Sequence, residues 1–152
     1  MSHAFWNWSL EAYDRAAVHD SVLRLQDRYG LNVNVCLWCA WLASEGRLAE
    51  PLLGEAMEKL TPWCREITQS IRTIRRRLKD FPDSGRLYKS VLACELEAEK
   101  AEQDILFGIA SQAPAAPATP ETALRSLEAY ARLAGASVDF AGFVKAVFLT
   151  GK

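Results

Sequence analysis

From Val33 to Ala43 the chain reads Val-Asn-Val-Cys-Leu-Trp-Cys-Ala-Trp-Leu-Ala, its longest uncharged and mostly apolar stretch. A bilayer span needs about 20 such residues, so this segment is too short to cross a membrane. Wound as a helix it has no polar face, and a helix that is apolar all round must be surrounded. The segment, taken as a helix over about 33–45, therefore demands a fold with a centre. Half of the 152 residues are hydrophobic and 24% are charged, which is enough apolar material to cover such a centre in one domain.

The flanking sequence supplies amphipathic helices to surround it. Val18, Val22, Leu25 and Tyr29 form one helical stripe that Gly30 can end. Trp8-Ser9-Leu10-Glu11 reads as a helix start, with Ser9 as N-cap and Trp8 and Tyr13 as a hydrophobic staple. This stripe does not run smoothly into the next, so a break is expected near Ala16. Asn32 or Asn34 can cap the central helix, and Gly46 ends it. Pro51 starts a short helix to about Leu60. Thr61-Pro62 reads as a cap followed by proline at the first helical position, opening a helix to about Lys79. Phe81-Pro82-Asp83-Ser84-Gly85 is a turn, followed by the longest helix, from about Arg86 to Ser111.

Residues 113–119 make a Pro/Ala linker, expected to be extended and semi-rigid. Thr119-Pro120 begins a helix to about Ala134, and a last one runs from Asp139 to about Leu149. The expectation is an all-α bundle of six to seven helices. Residues 1–112 form its main part, and 120–152 form a C-terminal helical pair docked on it by stripes such as Leu124, Leu127, Tyr130 and Leu133.

Charge is distributed unevenly. Arg65–Lys79 holds six basic residues against Glu66, and Glu95–Asp104 holds five acidic residues against Lys100. A short turn joins these helices, so they should pack antiparallel, with Arg72 near Glu95 and Arg65 near Glu102. Ile67, Ile71, Ile74 and Leu78 form the apolar stripe of the first, with Arg72 and Arg76 turned away from it and Arg75 on its shoulder. On the second, Leu87, Val91, Cys94, Ala98, Ile105 and Ile109 form the stripe, and Glu95 and Glu102 fall inside its arc with Glu99 at the margin. Carboxylates placed inward need partners, so Arg72, Arg75, Glu95, Glu99 and Glu102 are a candidate polar cluster.

Other readings are weaker. Cys36 and Cys39 form a C-x-x-C but lie among core residues, so they read as buried thiols, and neither a metal nor a cofactor is expected. Histidines stand only at positions 3 and 19, which removes the Glu-x-x-His pattern of carboxylate di-metal bundles. No nucleophile stands at a recognisable spacing from a base, so no catalytic residue is nominated and an enzymatic role is disfavoured. A net charge of -1 gives no global attraction to nucleic acid, which leaves only the basic 72–79 face for that role and makes it the last choice. The N-terminus lacks the features of a secretory signal, which points to the cytoplasm, with the cysteines reduced.

The expected role is therefore a non-enzymatic helical module that contacts a protein partner or a second copy of itself. Phe5, Trp6 and Trp8 are its candidate aromatic patch. The alternative is a small-molecule or enzymatic pocket that uses Glu95, Glu99 and Glu102 with Arg72 and Arg75, lined by Trp38 and Trp41.

Phe5-Trp6-Asn7-Trp8-Ser9-Leu10, the run Leu25-Gln26-Asp27-Arg28-Tyr29-Gly30-Leu31-Asn32-Val33-Asn34, Trp63, Ile71-Arg72, Arg76-Arg77-Leu78-Lys79 and Glu95-Leu96-Glu97-Ala98-Glu99 resemble a small proteobacterial family known only as a domain of unknown function. The resemblance covers most of Phe5 to about Phe107. It implies a bacterial cytosolic origin and no assigned activity.

Overall fold

A computed structural model describes residues 2–149, and among them the chain forms helices and no strand. These are α1 (Ala4–Tyr13), α2 (Ala16–Tyr29), α3 (Val33–Ser44), α4 (Leu53–Trp63), α5 (Gln69–Leu78), α6 (Gly85–Ala110), α7 (Pro120–Leu133) and α8 (Ala141–Leu149). A short 3₁₀ turn, Glu50–Leu52, leads into α4. A π turn, Cys64–Thr68, joins α4 to α5 without a break, so the described residues make seven separate rods.

The apolar segment sits where its composition requires. Asn32 caps α3, its Oδ1 accepting the amides of Asn34 and Val35 at 2.8 and 3.2 Å. Every residue from Asn34 to Ala43 is buried, and α1, α2, α6, α7 and α8 all pack against this helix. Gly30 adopts φ 65° at the end of α2, the left-handed corner that lets the chain turn into α3. The expected break near Ala16 falls at Asp14–Arg15.

α7 packs on α3 and α8 on α2, and Leu127, Tyr130, Phe143 and, just ahead of α8, Phe140 join the same core cluster as Phe5 and Trp38. The 113–119 segment is tied down as well as extended. Ala113 is buried, the Leu48 amide donates to the Pro114 carbonyl at 2.9 Å, and the Ala116 amide donates to the Gly46 carbonyl at 2.8 Å. Met1 and residues 150–152, the ends of the expected 1–112 and 120–152 units, lie outside the described residues.

Two helix starts differ from expectation. His3, with extended backbone at φ -135° and ψ 172°, caps α1, and its Nδ1 accepts the Trp6 amide at 3.1 Å. Ser9 lies inside that helix and is buried, where its hydroxyl serves α6 instead of the backbone. Thr61-Pro62 does not open a helix either, because α4 runs straight through it. The proline removes the bond its N–H would make to the preceding turn. Leu60 in the core and Trp63, whose Nε1 donates to the Ala98 carbonyl at 3.0 Å, hold the helix together on either side.

The π turn that follows also changes the outcome for α5. One extra residue in a turn rotates everything downstream by about 100°. The stripe Thr68, Arg72 and Arg75 consequently faces α6, while Ile67 and Ile74 are exposed. On α6, Leu87 and Cys94 are exposed too. The isoleucine stripe and the outer half of the α6 stripe are therefore not core, and Arg72 points inward.

Candidate functional site

A polar floor underlies a cleft of about 690 Å³ bounded by α1, the Gly30–Asn34 corner, α4 with its π turn, and α6. Its apolar walls come from residues such as Leu31, Leu37, Met57 and Leu60. At its base Glu102, only 3% exposed, accepts Nδ2–H groups of Asn32 and Asn34 on one oxygen, at 3.0 and 3.1 Å. Gln103 Nε2 donates to Asn34 Oδ1 and to Ser9 Oγ, both at 2.9 Å. The Asn32 amide donates to Tyr130 Oη at 2.9 Å, which brings α7 into the network.

The orientation of each amide in this chain is forced. A carboxylate only accepts hydrogen bonds, so both asparagines must turn their NH₂ groups to Glu102. Asn34 then shows its oxygen to Gln103, which must answer with its own NH₂. That leaves Gln103 Oε1 buried without a partner. Thr68 Oγ1, at the end of the π turn, is likewise buried and unpartnered. Both residues line the cleft. Buried polar groups are rarely left unsatisfied, and π turns inside helices occur frequently at functional sites.

Behind the cleft wall lies an ion-pair cluster. Arg72 Nε donates to Glu95 Oε2 at 2.8 Å, and its Nη2 donates to Glu99 Oε1 at 3.0 Å. Arg75 Nε donates to the other oxygen of Glu95. Burial pushes the Glu95 carboxyl up, but Arg75 and Arg72 together outweigh it and hold Glu95 below the ordinary range. Glu99 is shifted the other way: burial raises it, the repulsion of Glu95 and Glu102 adds to that, and Arg72 offsets only part. Burial also pushes the Cys64 thiol up to about 12, with Glu102 beside it reinforcing the shift.

Of the five residues expected to cluster, Arg72, Glu99 and Glu102 line the cleft, while Arg75 and Glu95 stand outside its lining. The expected Arg72–Glu95 proximity is present; Glu102 bonds to the two asparagines rather than to Arg65. Trp38 and Trp41 are fully core and do not line the cleft; Trp41 stacks on Phe5 with centroids 5.1 Å apart. Phe5 is completely buried and Trp6 and Trp8 are half-buried, so these three do not form an open aromatic face. A helix from the N-terminal side is needed to cover α3, and Phe5 is the side chain that does it. The thiols are dispersed: Cys36 and Cys39 lie in the core, Cys64 in the π turn, and Cys94 on the outside of α6.

Residues 4–106 match the family described as "Protein of unknown function (DUF2390)". The chain belongs to this family. No curated protein matches it, and no solved structure does. The DUF2390 segment runs from the start of α1 into α6 and carries every residue lining the cleft except Tyr130. Within this DUF2390 chain the site residues not anticipated from sequence are Asn32 and Asn34 as ligands of Glu102, together with Thr68 and Gln103. Their available signal was polarity at positions adjoining apolar runs.

The raised Glu99 carboxyl has a testable consequence. A carboxyl whose folded pKa lies above its unfolded value favours the fold at low pH, and that contribution is lost as pH rises through the folded value. Glu99→Gln is therefore expected to be more stable than the unsubstituted protein at neutral pH. The gain should shrink as pH falls below the unfolded glutamate value of about 4.3, where Glu99 is neutral in both states. Urea unfolding midpoints measured across that range would reveal it, and a gain independent of pH would contradict the assignment.

Proposed function

We propose that this DUF2390 protein binds a small amphipathic organic molecule in the cleft. The polar end of the ligand lies on the Asn–Glu–Gln floor and its apolar body lies along Leu31, Leu37, Met57 and Leu60. The observation that carries this reading is the pair of buried, unpartnered side-chain oxygens, Gln103 Oε1 and Thr68 Oγ1, at a cleft of about 690 Å³. Ligand pockets commonly have this volume and this mixture of apolar wall with few polar groups. The alternative use of the polar side is binding of nucleic acid to the 72–79 basic face. It is weakened because Arg72 and Arg75 are turned to Glu95.

A second reading, contact with a protein partner or a second copy, has its own support away from Phe5, Trp6 and Trp8. Ile74, Phe81 and Leu87 flank the turn between α5 and α6, and each is more than half exposed. Native mass spectrometry of the gently purified protein separates the two. A bound organic mass supports the cleft reading, whereas a dimer or a co-purified protein with the cleft empty supports the contact reading.

A further inference from the structure

One buried carboxylate at the cleft has no cation paired to it. Buried Glu95 takes both Arg72 and Arg75, and the partly exposed Glu99 takes Arg72 as well. Both arginines are committed to Glu95 and Glu99, and among the described residues no ion pair reaches Glu102. Its partners are the neutral side chains of Asn32, Asn34 and Cys64. An ionised carboxylate removed from water is costly without a compensating charge, and this one sits at the floor of an open cleft. The two unpartnered oxygens, on Gln103 and Thr68, are hydrogen-bond acceptors as well. The floor is thus an acceptor-rich, negatively charged surface under apolar walls.

We infer that the ligand is an amphipathic amine, whose ammonium group pairs with Glu102 and is completed by the acceptors on Gln103 and Thr68. An ammonium carries three donors and no acceptor, which suits a carboxylate flanked by neutral oxygens. A carboxylate or phosphate head would meet Glu99 and Glu102 at the floor, with Arg72 already engaged and the other lining cation, Arg65, on the exposed side of the cleft. The inference rests on the cleft being a small-molecule site and adds the charge of the ligand's head.

The test compares 4-phenylbutylamine, 4-phenylbutan-1-ol and 4-phenylbutyrate, which share a tail and differ in head. Amide shifts of the ¹⁵N-labelled full chain report binding. The amine is expected to bind about tenfold or more tightly than the alcohol, as a charge-assisted hydrogen bond provides. The butyrate should bind most weakly, and Glu102→Gln should bring amine and alcohol to parity. If that variant does not fold, the N-acetylated amine decides the matter on the unsubstituted protein: with the charge removed and the tail kept, it should bind no more tightly than the alcohol. Equal binding of amine and alcohol, or preference for the butyrate, overturns the cationic head and leaves a small-molecule cleft standing. No shift of cleft residues with any of the three overturns both.

Discussion

Trp38→Ala is expected to lower the unfolding free energy by about 3–5 kcal/mol, the range for truncating a buried large aromatic. Trp38 is fully enclosed at the middle of α3, with other helices packed round it, so little can collapse into the space. Trp38→Phe should behave very differently. The indole N–H of Trp38 has no hydrogen-bond partner, and leaving a donor buried and unpaired costs about 1–3 kcal/mol. Phenylalanine gives up part of the packing but removes that orphan, so the net change should stay within about 1 kcal/mol. Chemical denaturation of both variants provides the comparison. A large loss for Trp38→Phe would mean that the indole nitrogen is satisfied in solution, for example by a bound water.

Glu95→Ala is the second large effect, expected at about 3 kcal/mol, the lower end for breaking a buried pair. Glu95 is 5% exposed and takes both Arg72 and Arg75, so truncation leaves two guanidiniums facing each other at the α5–α6 contact. Replacing Glu95 and Arg75 together by leucine and methionine should cost less than Glu95→Ala alone, because the uncompensated charge is removed with its partner. The effect has a pH signature. Glu95 is held below the ordinary carboxylate range, so its contribution is present above the unfolded value of about 4.3 and lost as pH falls through the folded value. The gap between the unsubstituted protein and Glu95→Gln should therefore close in acid, as for Glu99→Gln, but from the opposite side: at neutral pH Glu95→Gln is the less stable and Glu99→Gln the more stable. Thermal unfolding at neutral and acidic pH distinguishes the two carboxylates.

Together these substitutions separate scaffold from site. Trp38 and the Glu95 cluster hold α3, α5 and α6 in place, whereas Asn32, Asn34, Glu102 and Gln103 form the floor that a ligand would meet. Loss of binding without loss of folding should follow changes at the second group and not at the first.

Much of the fold was legible because it rests on local signals. The all-round apolar character of Val33–Ala43 placed α3 at the centre. Gly30, an asparagine cap at 32 or 34 and Thr119-Pro120 marked helix ends, and the structure has the cap at Asn32. Inward placement of Glu95 and Glu102 followed from helical spacing, and so did the Arg72–Glu95 pairing across the hairpin. Ser9 and Thr61-Pro62 misled for one reason. Each has the chemistry of a helix start, but Ser9 is claimed by Gln103 across the bundle and Pro62 lies between two tertiary anchors that keep its helix whole.

What the sequence alone determined was the all-helical class, the central helix and the presence of carboxylates inside a packed face, since these depend on periodicity and capping within one element. The tertiary structure decided which face of α5 meets α6, because a single extra residue in the π turn rotates all that follows. It also decided which polar groups share a space. Ser9, the Asn32–Asn34 corner and the Glu102–Gln103 pair come from three separate parts of the chain, and hydrogen bonding between them depends on how the helices pack, which no local pattern encodes.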